Sequence, residues 1–140
     1  MTLDLTSMEK AVASLGNGVA VVQDAASSGR FDDRVVETLK AGVIQNFEFT
    51  YEISWKMIQR WIRHNVSPDD AEPRTKKDLF RLAANRGLIP DPQPWFEYIE
   101  ARNLTTHTYD RAKAEKVVEA AIRFLDDAAA LLAELKRHND

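Results

Sequence analysis

The chain is 140 residues long, with 19 Lys and Arg against 22 Asp and Glu, for a formal net charge of −3. At this length one domain spanning residues 1–140 is expected, with enough buried surface to fold without metal or disulfide help. The absence of cysteine removes disulfides, thiolate metal sites and a Cys nucleophile, and the acidic balance excludes nucleic-acid binding by bulk charge, though not by a local basic patch.

A hydrophobic fraction of 44% beside 29% charged residues describes an ordinary globular chain rather than a disordered one. The opening Met1-Thr-Leu-Asp-Leu-Thr-Ser carries an acid and lacks the basic and apolar regions of a secretory signal. Apolar runs such as Ala128–Ala133 are far too short to cross a bilayer. The expected location is the cytoplasm, with no membrane partner.

Apolar spacing is helical throughout, broken where Gly and Pro cluster. The first helix is expected over Ser7–Ala26, with Thr6-Ser-Met-Glu9 as a capping box. Gly16 and Gly18 lie inside it, and close packing against a neighbouring helix is their simplest account. The second helix, Arg34–Asn65, carries Leu39, Val43, Phe47, Tyr51, Trp55, Ile58 and Ile62 as one apolar stripe that wants partner helices. An acidic loop follows between Pro68 and Pro73. A short third helix is capped by Thr75 and ended by Gly87 and Pro90. Its neighbourhood concentrates Arg74, Lys76, Lys77, Arg81 and Arg86 against one acid, Asp78. The fourth helix starts near Pro92 or Pro94. The fifth begins after Asp110, a suitable N-cap, and runs to about Arg137. The expectation is an all-α, up-and-down bundle of four to five helices.

No metal-ligand spacing is present: there is no H-E-x-x-H and no pair of Glu-x-x-His motifs, and His64, His107 and His138 are far apart. One segment stands out, Glu100-Ala-Arg-Asn-Leu-Thr-Thr-His-Thr-Tyr-Asp110. Its three threonines are poor helix formers, so the helix should loosen near His107. If helix persists to that point, Asn103 and His107 share a face at i and i+4, with Arg102 close by. If the chain then extends, His107 and Tyr109 project to one side.

Arg102, Asn103, His107 and Tyr109 suit metal-free phosphodiester chemistry. A neutral imidazole, with a pKa of about 6.5, takes a proton from a ribose 2′-hydroxyl. A guanidinium holds phosphate oxygens and the added charge of the transition state. An amide orients the phosphate, and a phenol binds phosphate or stacks a base. The alternative is structural: Arg102 pairs with an acid of the second helix and His107 makes a buried interhelix hydrogen bond. Glu48 and Glu52 are the available acids. They are either a solvated face, with Glu52 paired to Lys56, or supports, one of them anchoring Arg102 across the bundle.

Arg102-Asn-Leu-Thr-Thr-His107-Thr-Tyr109 resembles the R-x4-H-x-Y signature of HEPN proteins. Phe47-Glu-Phe-Thr-Tyr-Glu-Ile-Ser-Trp-Lys56 is similar to the F-E-x-x-x-E-x-x-W-K helix of that superfamily's bacterial nucleotidyltransferase substrate-binding branch. Pro73-Arg74, Gly87-Leu-Ile89 and Trp95 fit the same pattern, and the likeness covers about residues 5–135.

The resemblance implies a dimer in which two R-x4-H segments face each other in one cleft, and a minimal (MNT-type) nucleotidyltransferase as partner. It implies a metal-independent, toxin-like ribonuclease without cofactor. Arg102 and His107 would be catalytic, Asn103 supporting, and Tyr109 the acceptor of AMP from the neutralising partner. Lys76, Lys77, Arg81 and Arg74 are the candidate RNA contacts. A second reading keeps the same cleft for a nucleotide or substrate and leaves all chemistry to the nucleotidyltransferase. A third makes the chain a plain helical interaction module.

Overall fold

The computed structural model describes residues 2–72 and 75–139. The basic-strip residue Arg74 and the motif residue Pro73 lie outside them. Among the described residues six α-helices run in the order α1 (Thr6–Ser28), α2 (Asp33–Asn65), α3 (Pro68–Ala71), α4 (Lys76–Asn85), α5 (Gln93–Leu104) and α6 (Arg111–Arg137), and a 3-10 turn (Thr105–His107) follows α5. Among the described residues there is no strand, so the all-α bundle is as expected. No helix of the described residues is long and apolar enough to cross a membrane.

The helix starts are set by short polar side chains. Asp110 Oδ1 accepts from the backbone N–H groups of Ala112 and Lys113 at 2.9 and 3.2 Å, and Thr75 Oγ1 accepts from Asp78 N at 3.1 Å. The expected capping box at Thr6 does not form. Leu5 is the N-cap residue and makes no side-chain cap. The Asp4 carboxylate instead takes the Thr6 N–H at 3.0 Å, placing Thr6 inside the helix. The acidic loop after Pro68 is also corrected, because it contains the single turn α3, capped by Ser67 Oγ on Asp70 N. After α4 the chain reverses through Gly87, whose φ of +81° is the left-handed region that glycine tolerates. Gly87 N bonds Ala84 O and Leu88 N bonds Ala83 O, the paired bonds of a Schellman stop.

α2 is the spine, packing against α1, α6, α3, α4 and α5. Its buried face runs Val43, Phe47, Tyr51, Ser54, Ile58 and Ile62. The expected stripe therefore departs at two positions: Leu39 is only half-buried, and Ser54, not Trp55, enters the core. The Ser54 hydroxyl donates to Thr50 O at 2.6 Å, and Thr50 Oγ1 donates to Asn46 O at 2.7 Å, so both buried hydroxyls are satisfied by the preceding turn. Trp55 is released to the border with α4. An aromatic cluster of Phe47, Tyr51, Phe80, Trp95, Tyr98 and Phe124 ties α2, α4, α5 and α6 together.

Gly18 is where α1 meets α2. A Cβ there would stand 3.2 Å from Asn46 Nδ2 and 3.5 Å from a Val43 methyl, in keeping with the close packing expected of it. The Lys40 ammonium bonds Glu115 and lies 3.5 Å from Glu37, joining α2 to α6. Near the two ends, Asn139 Oδ1 accepts from Leu3 N at 2.7 Å and Asn139 Nδ2 donates to Leu3 O at 3.0 Å.

Candidate functional site

α5 ends at Leu104 and its last residues tighten into the 3-10 turn, as the threonine run predicts. The threonines occupy backbone carbonyls: Thr105 Oγ1 donates to Arg102 O at 2.7 Å and Thr106 Oγ1 to Asn103 O at 3.4 Å. Thr105 Oγ1 also accepts from Arg102 Nη1 at 2.7 Å. The residue that breaks the helix thus also aims the arginine.

Arg102 reaches across to α2. Its Nε donates to Glu52 Oε1 at 3.3 Å, and its Nη1 lies 3.7 Å from Glu48 Oε2. Both acids therefore support Arg102, and Glu52 does not pair with Lys56: its second oxygen accepts from Trp55 Nε1 at 3.0 Å. Two hydrogen bonds, to Glu52 and Thr105, and the longer ion pair with Glu48 hold the guanidinium while a third of the side chain stays open to solvent.

Arg102 forms the wall of a surface cleft together with Tyr51, Glu52, Lys76, Ile99, Asn103 and Thr106. Burial, and then the negative charge of Glu52, push the Tyr51 phenol well above the usual tyrosine range, so it is a neutral hydrogen-bonding group in this wall. His107 and Tyr109 lie past the cleft on the exposed turn. Their Nδ1 and hydroxyl groups are 3.3 Å apart, with the rings edge to face. Tyr109 is 85% exposed. The pair meets through a turn, with Thr108 at φ −77° and ψ 0°, and not through the extended chain that would have set both side chains on one side, and His107 is exposed rather than buried between helices. Asn103 faces the cleft with Arg102, whereas His107 turns to Tyr109, so one chain brings together two halves of the predicted set without merging them.

The basic strip divides. Lys76 lines the cleft, with its ammonium 3.9 Å from the centre of the Trp55 ring. Lys77 and Arg81 lie over Phe96, at 5.4 and 5.1 Å, and Arg81 pairs with Asp78 at 3.1 Å. Sequence reasoning missed Tyr51 and Ile99 as cleft walls and Trp55 as the support for Lys76. The signal for Trp55 was its place beside a core serine in the stripe.

Fold and site define an all-helical domain that presents an anchored arginine and an exposed His–Tyr pair at one helix end. Residues 3–137 match the model of the family described as nucleotidyltransferase substrate binding protein like, and the chain belongs to that family. It is 37% identical over 138 residues to a protein of Haemophilus influenzae named probable ribonuclease HepT, covering 98% of this chain and 94% of that one. A solved Haemophilus influenzae structure, described as revealing the fold of a substrate binding domain of a nucleotidyltransferase, superposes with a TM-score of 0.88 at 36% identity, covering 95% of this chain and 99% of that one. A crystal structure from Thermus thermophilus shares the fold at 24% identity, with a TM-score of 0.65 over 88% of this chain and 99% of that one.

Proposed function

We propose that this chain is a toxin-like, metal-independent ribonuclease that works in the cytoplasm as a homodimer of single-domain protomers. Two copies bring their Arg102–His107 segments to one shared cleft. A minimal (MNT-type) nucleotidyltransferase is its partner and restrains it by transferring AMP to Tyr109. The observation that carries this reading is the exposed His107–Tyr109 pair beside a cleft whose arginine is held in place. An imidazole and a phenol left in solvent at a helix end add little to packing, and they suit a reacting surface.

In this chemistry neutral His107 removes the proton from a ribose 2′-hydroxyl. The 2′-oxygen forms its bond to phosphorus as the bond from phosphorus to the 5′-oxygen breaks. The imidazolium returns a proton to that departing oxygen, leaving a 2′,3′-cyclic phosphate. Arg102 stabilises the charge gathering on the non-bridging oxygens, and Asn103 orients the phosphate. In the restraining step the Tyr109 oxygen bonds the α-phosphorus of ATP. The α–β anhydride bond breaks, pyrophosphate leaves, and the phenol proton passes to solvent or to a base of the partner.

The purified chain is expected to cut single-stranded RNA without added metal, and His107→Ala to cut it at least about 100-fold more slowly. Equal cleavage by both proteins, or none by either, refutes the reading. Mass spectrometry after co-expression with the partner tests for an added AMP on Tyr109.

A second reading is that the chain is a non-catalytic subunit holding nucleotide or substrate for the transferase. It is favoured by the engagement of Arg102 with two carboxylates and by the position of His107 outside the cleft of one chain. Binding of ATP with no RNA cleavage selects it.

A further inference from the structure

We propose that Lys76 is a second phosphate-binding cation of the Arg102 cleft, positioned by Trp55, and that it takes the phosphate next to the one Arg102 grips. This rests on reading that cleft as a phosphate site. The geometry begins at Glu52. One of its oxygens accepts from Arg102 Nε at 3.3 Å and the other from Trp55 Nε1 at 3.0 Å. The indole so oriented presents its ring to the Lys76 ammonium at 3.9 Å. One carboxylate therefore fixes two cations relative to each other, one from α5 and one from the first turn of α4.

Charge gives the second cation its purpose. Arg102 is matched by two carboxylates, Glu48 and Glu52, so these three side chains alone carry a net −1 and would repel a phosphate. Lys76 brings the wall to neutrality. Among the described residues no carboxylate lies within ion-pair distance of Lys76; its partner is an uncharged ring. An ammonium on a flexible four-carbon stem can exchange that ring for a phosphate oxygen without breaking an ion pair. Lys77 and Arg81 are placed differently, over Phe96 and outside the cleft walls, so Lys76 alone of the described strip is a cleft residue.

The test titrates a fluorescent single-stranded oligoribonucleotide of mixed sequence with the full-length chain in a His107→Ala background, over a range of salt. Lys76→Met is expected to weaken binding about 3- to 10-fold and to flatten the log–log salt slope by about 0.7, the loss of one phosphate contact on a single strand. Lys76→Arg should retain the affinity and slope. Trp55→Leu should reproduce the methionine variant, and Trp55→Phe should keep most of the binding, since a ring still supports the ammonium. Lys10→Met, which removes the same charge from the exposed face of α1, is the control for bulk charge. Circular dichroism checks each variant's helix content, and Lys76→Gln replaces the methionine variant should that one misfold. Wild-type affinity and slope in the folded Lys76 variant overturn the proposal.

A second arm uses ATP as probe. Weakening of both ligands assigns Lys76 to phosphate in general, and weakening of RNA alone assigns it to the polynucleotide backbone. If the chain binds no RNA, the ribonuclease reading has failed by itself and the ATP titration decides. An unchanged ATP affinity in Lys76→Met then overturns the role of Lys76, as does the absence of binding to either ligand.

Discussion

Arg102 meets Glu52 through Nε and Thr105 through Nη1, two directions set by the planar guanidinium. A lysine ammonium offers no such fork. Arg102→Lys is therefore expected to keep the charge, lose the aim, and slow RNA cleavage about 10- to 100-fold while the circular dichroism spectrum stays that of the wild type. Cleavage at the wild-type rate would mean that only charge is needed at this position. The same residue marks what the sequence made legible at this scale. The spacing of Arg102 and His107 and the acids Glu48 and Glu52 could be read directly, because helical periodicity fixes which side chains share a face. The separation of His107 from the cleft could not, because a 3-10 turn changes the angle per residue after Leu104 and the pattern does not reveal by how much.

At the scale of the helices, α5 and α6 are joined by a buried phenol: Tyr98 donates to the Asp127 carboxylate at the edge of the aromatic cluster. Burial first, then this bond, push the Tyr98 phenol far above the usual tyrosine range. The folded state therefore favours the protonated form, whereas the unfolded chain ionises near about pH 10. The stabilisation is complete below that pH and is lost as pH climbs above it. Urea unfolding of Tyr98→Phe should show a deficit of about 1 kcal/mol at neutral pH that shrinks above about pH 10. A deficit that stays constant with pH would show that the phenol's ionisation plays no part.

Helix boundaries were legible to within a few residues wherever a cap is short and polar, as at Thr75 and Asp110. They failed at Thr6, where Asp4 competes for the same amide. The core position of Ser54 was hidden because hydropathy ranks Trp55 above it, while the hydrogen bond to Thr50 O decides the matter. That placement of serine rather than tryptophan in the core is what sets Trp55 beside α4 and Lys76.

For the whole molecule, the bundle and its family could be inferred from periodicity and two motifs, whereas assembly could not be read from one chain. A shared cleft needs two copies. Light scattering should report a mass of about twice 15.9 kDa, and the specific activity of RNA cleavage should fall on dilution as the copies part. A monomer with undiminished specific activity would remove the shared cleft.

The clasp between Leu3 and Asn139 holds the beginning of α1 beside the end of α6. The order in which the helices are strung is therefore separable from how they pack. A circular permutant, its old ends bridged by a short linker and its new ends opened at the exposed Gly29–Phe31 bend, would inherit the same bundle. It would begin at α2, so the spine that carries Glu48, Glu52 and Trp55 would be the first helix to leave the ribosome.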